Sequence, residues 1–201
     1  MLRISFILLI VPCFAFLSKD KAETADEFKE WYKTNYPSLV FSTDYQGLNY
    51  QMRYNPAELR LLGAIDRKEV NNKAEIKQWY KENDTYEEFS FKITSKAGRD
   101  LFVEYSETKE EINEKTFYFV ESAKYDFLLV REKDTIAPIH YQFENTYGVA
   151  PFVTIYLAFD KSPKDNGVKE LIFKDQVLNN AVIPFEIEHL NNLNIPKITQ
   201  L

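Results

Sequence analysis

The 201-residue sequence has little of what many small enzymes and exported domains depend on. It holds one cysteine, two histidines, two tryptophans and five glycines. A single cysteine excludes a disulfide framework and any CxxC zinc or redox site. No GxSxG elbow, P-loop, GxGxxG or HExxH occurs, so the linear signatures of the common hydrolases and nucleotide-binding enzymes are missing. Basic residues are outnumbered, 25 against 31 acids, for a net charge of −6, and no nucleic-acid partner is expected. The calcium-loop pattern fails before Gly167, where Ser162, Lys164 and Asn166 stand at ligand positions and Phe173 at the twelfth.

What is present begins with an address. Arg3, the apolar run Phe6–Val11, Pro12 and the small residues Cys13 and Ala15 follow the order of a secretory signal peptide. Cleavage after Ala15 is expected, or as late as about residue 18. The run from Ser5 to Leu17 is shorter than the roughly 18 residues of a permanent anchor. The alternative is lipidation of Cys13, although Pro12 stands where lipoprotein signals carry Gly, Ala or Ser. Loss of residues 1–15 removes Arg3 and the only cysteine, leaving 24 bases against 31 acids. The expected location is therefore the periplasm, cell envelope or medium, with membrane attachment only through an N-terminal anchor.

The fold class expected is α+β, with N-terminal α-β-β units, duplicated on one reading, followed by a β-rich, sandwich-like C-terminal portion. The two portions span 24–105 and 106–201, or form one continuous domain. Thr24 and Glu27 make a capping box ahead of Phe28, Trp31 and Tyr32 at helical spacing. Strands follow at Leu39–Phe41 and over Leu48–Tyr54. A Pro56 helix ends near Gly63, and residues 64–71 form a connector. Asn72 and Glu75 open another helix, with strands over 88–93 and Leu101–Tyr105 joined by a 95–100 hairpin loop. Glu27–Asn35 aligns without gaps on Glu75–Asn83, and the only two Trp fall at equivalent places. That likeness predicts a repeated unit of about 48 residues. Thr108–Glu111 opens a helix or precedes a strand at Phe117–Val120; periodicity leaves both open. Strands are expected over Phe127–Arg131, Ala137–Phe143, Val153–Phe159, Val168–Lys174 and 183–187, the last an edge because of Pro184. Asp165–Gly167 reads as a turn.

Candidate chemistry is sparse. His140, Glu144, Glu186 and His189 would suit zinc or manganese if their two strands were neighbours. Glu87–Glu88 and Glu110–Glu111 are poor glycosidase pairs, because adjacent carboxylates on a strand point to opposite faces. Aromatic residues are abundant, with 16 Phe and 13 Tyr. Most serve a core, while Tyr45, Tyr50, Tyr54, Trp31 and Trp79 are candidates for stacking a sugar or gripping a partner.

The segments Pro138–Gly148, Val153–Phe159 and Tyr54–Leu59 resemble uncharacterised exported envelope proteins of bacteria, some of them lipoproteins. The resemblance implies an envelope location and no catalytic residue. The expected function is an exported, non-catalytic binding or scaffolding protein, its partner an envelope protein or a glycan. A carbohydrate- or small-ligand-binding protein and a metal-dependent hydrolase are the alternatives. No cofactor is expected.

Overall fold

The computed structural model of the chain describes residues 23–132, 134–146, 149–161 and 168–201. Cys13 and the 165–167 turn lie outside them. The architecture is α+β with antiparallel sheets. A two-residue strand β1 (Glu23–Thr24) leads into α1 (Ala25–Asn35), followed by a short 3-10 turn over Tyr36–Leu39. Strands β2 (Val40–Tyr45) and β3 (Leu48–Asn55) form a hairpin. Helices α2 (Ala57–Asp66) and α3 (Lys73–Asn83) intervene before β4 (Tyr86–Ser95). Two short helices, α4 (Leu101–Glu104) and α5 (Lys109–Phe117), lead into a π turn over Tyr118–Ser122. The remaining strands are β5 (Phe127–Arg131), β6 (Thr135–Ile136), β7 (His140–Glu144), β8 (Phe152–Asp160), β9 (Val168–Asp175), β10 (Ala181–Glu186) and β11 (Ile198–Gln200).

The strands form a five-stranded sheet, β2-β3-β4-β8-β7, and a four-stranded sheet, β10-β9-β5-β6. Alternation places Tyr50, Met52, Phe89, Phe91, Ile155 and Leu157 on the inner face of the first sheet, all fully buried. Phe127, Leu129, Leu171 and Phe173 come from the second. The rings interlock across the gap. Phe91 lies 5.1 Å from Phe127, 5.2 Å from Phe173 and 5.8 Å from Phe185 between ring centres, mostly edge to face. The sandwich is not confined to the C-terminal half. Strand β4 pairs with β8, so strands from both halves share one sheet and one core.

A smaller apolar cluster joins α1, α2 and α3 around β11. Phe28, Leu61, Ile76 and Ile198 are its buried members, and β11 pairs in parallel with β1. Thr24 and Glu27 form the expected capping box: the Thr24 amide donates to the Glu27 carboxylate at 2.8 Å, and the Glu27 amide to Thr24 Oγ1 at 3.1 Å. The Asn72 side chain accepts from Ala74 and Glu75, while Glu75 reaches back to the Asn71 amide rather than to that of Asn72. The likeness of α1 and α3 persists to their ends. Asn35 and Asn83 each turn back to a Trp carbonyl, at 2.8 and 2.9 Å.

The repeat stops there. The first helix is followed by two strands, but the second is followed by β4 and then α4. Leu101–Tyr105 is no strand, because Asp100 caps the amides of Phe102 and Val103, both at 3.0 Å. Leu101 and Phe102 are adjacent and both buried, which a strand with one wet face does not allow. Residues 95–100 are correspondingly a strand-to-helix turn, not a hairpin loop. Two other expectations change, and one left open is decided. Helix α2 runs through Gly63 to Asp66, because Leu61 and Ala64 on one face are both buried. Thr108 opens a helix, and the Phe117–Val120 stretch continues it to bury Phe119. The 137–143 strand starts later than expected: β7 begins at His140 in the five-stranded sheet, and Pro138, which has no amide to donate, separates it from the two-residue β6, which pairs with β5 in the four-stranded sheet. Pro184 does lie on an edge strand.

Candidate functional site

The outer face of the five-stranded sheet is where polar and aromatic side chains converge. Its rows follow from the register. One row runs Val40, Arg53, Ser90, Tyr156, Gln142; the next runs Ser42, Gln51, Lys92, Thr154, Glu144. A third carries Asn55, Glu88, Ala158 and His140. On such a face, depth is set by side-chain length, and the short residues Ser90 and Ala158 are its floors.

Two depressions result. The larger, of about 580 Å³, lies over Ala158 and is bounded by Tyr86, Glu88, His140, Gln142, Glu144 and Tyr156, with Ile139 at its rim. The smaller, of about 210 Å³, lies over Ser90 between Arg53, Lys92, Tyr36 and Tyr156, with Gln51 and Thr154 beside them. Tyr156 lines both and forms the ridge between them. Partial burial, then the hydrogen-bonded Glu144 carboxylate, raises the Tyr156 phenol above its ordinary value, while Arg53 opposes the rise. The ring is therefore a neutral hydroxyl at physiological pH.

The helices wall this face. Arg60 of α2 lies 3.9 Å from the Tyr86 ring centre, donates to the Asn83 carbonyl at 2.8 Å and pairs with Glu88 at 3.3 Å. Glu88 also accepts from Asn55 at 3.1 Å, and Asn55 accepts from Arg53 Nε at 2.9 Å. Tyr36, just beyond α1, closes the side of the smaller depression.

The candidates read from sequence lie elsewhere, apart from two. His140 and Glu144 line the larger depression. Glu186 and His189 belong to the other sheet and the turn after it, beside Glu170 and Glu188. Strands β7 and β10 are not neighbours, so the four never meet. Among the described residues, no group of three or more His, Cys, Asp or Glu is placed to hold a metal ion. His189 instead contacts the Ser38 carbonyl at 3.0 Å and the Phe41 ring at 4.9 Å.

None of the aromatic candidates lines either depression. Tyr50 is fully buried and donates to Asp175 at 2.7 Å. Tyr54 packs on Phe89, and burial raises its phenol far above the usual range. Trp31 and Trp79 are half-buried against the helical cluster. Tyr45 is exposed, but at the β2–β3 turn, away from either depression. The rings at the site are Tyr36, Tyr86 and Tyr156. The sequence signal for Tyr86 and Tyr156 was the outward phase of β4 and β8, where short Ser90 and Ala158 alternate with the inward core.

Models of protein families, curated proteins and solved structures give no match to this chain, so no relative's residues can be laid upon this face. Among the described residues, no helix is long and apolar enough to cross a membrane.

Proposed function

We propose that this is an exported, non-catalytic binding protein of the cell envelope, and that it holds its ligand on the outer face of the five-stranded sheet. The observation that carries this reading is the 580 Å³ depression over Ala158. Its volume falls within the roughly 300–1,000 Å³ of small-molecule sites, and polar groups and two tyrosine rings converge on it. The export half of the reading rests on the order of residues 1–15. A glycan fragment or comparably small polar ligand fits this lining better than a flat protein partner, because the surface is concave and its rings are separated by short residues.

Calorimetric titration of envelope glycan fragments and small polar metabolites tests the site. Gln142 is exposed on edge strand β7, so Gln142→Trp fills the depression without touching the core. A ligand of the wild-type protein should bind the variant at least about tenfold more weakly at unchanged melting temperature. Equal binding by the variant, or no binder in the whole panel, would contradict the reading. Cell fractionation with intact mass tests export: a chain beginning at Phe16 supports it, and a cytoplasmic chain retaining Met1 opposes it.

A further inference from the structure

The smaller depression has a chemistry of its own. On a chain with net charge −6, it is flanked by two cations on adjacent strands, Arg53 and Lys92. They stand diagonally across the ladder, since Arg53 faces Ser90 and Gln51 faces Lys92. Diagonal neighbours lie within reach of one shared group. Neither forms an ion pair among the described residues, although acids are close by.

Those acids are engaged. Glu88 is held by Arg60 and Asn55. Asp44, at the far end of the face, pairs with Lys96 at 2.7 Å, and this contact holds its carboxyl below the usual range. Glu144 is bound to the Tyr156 hydroxyl and lies across the Thr154 strand from Lys92. Among the described residues, the one hydrogen bond of Arg53 runs from Nε to Asn55. Its two terminal amino groups remain as a planar fork, the geometry that matches a carboxylate with two parallel bonds. The Lys92 ammonium rests 3.7 Å from the Phe152 ring centre, which orients it without neutralising it.

The rest of the lining suits what would carry that carboxylate. Ser90, Thr154 and Gln51 offer hydroxyl and amide groups, and Tyr36 and Tyr156 flank the space with rings. A volume of about 210 Å³ is below the roughly 300 Å³ where drug-sized sites begin, so one ring fits and a larger body must continue elsewhere. Tyr156, which lines both depressions, leads from it into the Ala158 depression, whose Glu88 and Glu144 disfavour a second anion.

We propose that the Arg53–Lys92 depression is a subsite for the carboxylate of an acidic sugar unit, a uronic acid or its chemical equivalent. This assignment rests on the outer face being the binding surface. It also fixes the ligand's direction, with the acidic ring over Ser90 and a neutral polar remainder over Ala158.

The test is a titration of the protein, as it accumulates in the cell, with glucuronate, glucose and sulfate in separate arms, followed by backbone amide shifts. Glucuronate should move the amides around Ser90 and Lys92 saturably, and glucose should bind at least about tenfold more weakly. Arg53→Gln and Lys92→Gln should each weaken glucuronate about tenfold or more at unchanged melting temperature, and Arg53→Lys should also weaken it, because the fork is lost. Equal binding of glucose, glucuronate binding unaffected by these variants, or sulfate binding as tightly as glucuronate each overturns the assignment. If glucuronate fails while a neutral glycan fragment still shifts Gln142 and Ala158, the anion subsite falls and the binding face stands. If no ligand shifts either depression, both fall.

Discussion

The sandwich and the helical layer beside it are built on different terms. The sandwich buries whole rings: Tyr50, Phe89, Phe91, Phe127 and Phe173 have no exposed surface. The layer of α1, α2, α3 and β11 uses fewer buried residues and leaves Trp31, Trp79 and Tyr80 half exposed. Its ties are partly polar. The Tyr80 hydroxyl accepts from the Ile198 amide and donates to the buried Glu58 carboxylate, both at 3.2 Å. The two regions divide the labour. The sandwich supplies the stability that a chain without disulfides needs, and the helical layer holds the two ends of the described chain together while walling the polar sheet face with Tyr36 and Arg60.

The comparison breaks most readily at its centre. Phe91→Ala removes a ring packed against both sheets and should cost about 3–5 kcal/mol in denaturant unfolding. A loss below about 1 kcal/mol would mean that the two sheets do not share this core. Asp175→Ala should cost about 2–3 kcal/mol. That carboxylate accepts from Tyr50 and from the amides of Val177, Leu178 and Asn179, so its removal leaves the buried Tyr50 hydroxyl short of its acceptor.

In the helical layer, Ile198→Ala should cost about 2 kcal/mol, at the low end for such truncations because the cluster is small. Hydrogen exchange sharpens the contrast: amides of α3 and β11 should exchange through a partial opening of lower free energy than those of β4 and β8. Uniform exchange across both regions would dissolve the distinction.

The smallest effect has a sign. Burial raises the Glu58 carboxyl above its ordinary value. The folded state therefore holds this proton more tightly than the unfolded chain does. The contribution is complete below the unfolded value near 4.5 and is lost as pH rises through the folded value. Glu58→Gln keeps an acceptor for Tyr80 and should raise the melting temperature slightly at pH 7, with no gain at pH 4. A variant less stable than wild type at pH 7 would show that the charged form is favoured in the fold.

Local rules carried much of this architecture. The Thr24–Glu27 box, the alternation of β3 and β8 and the edge position of Pro184 were legible because each depends on a few consecutive residues. Leu101–Glu104 misled because its composition suits a strand, while Asp100 caps it and tertiary packing buries two adjacent residues. The β2–β3 turn places Gln46 and Gly47 at φ 43° and 83°, and a Cβ on Gly47 would lie 2.9 Å from the Tyr105 hydroxyl, a closeness set 58 residues downstream. The site was the least legible part. Arg53, Ser90, Tyr156 and Gln142 stand in one row only through three strand pairings, which no linear motif records. Tyr50 and Tyr54 share the apolar phase of β3 with Leu48 and Met52, so that alternation already pointed them inward, and only their hydroxyls suggested a surface role.

Both proposed sites depend on the outer sheet face being the binding surface. A backbone amide shift map during titration with an oligosaccharide carrying one uronic acid tests this directly. Shifts clustered on Ser90, Lys92, Tyr156, Ala158 and Gln142, and lost in Gln142→Trp and Arg53→Gln, are the predicted result. Shifts confined to the four-stranded sheet or the helical layer would contradict it.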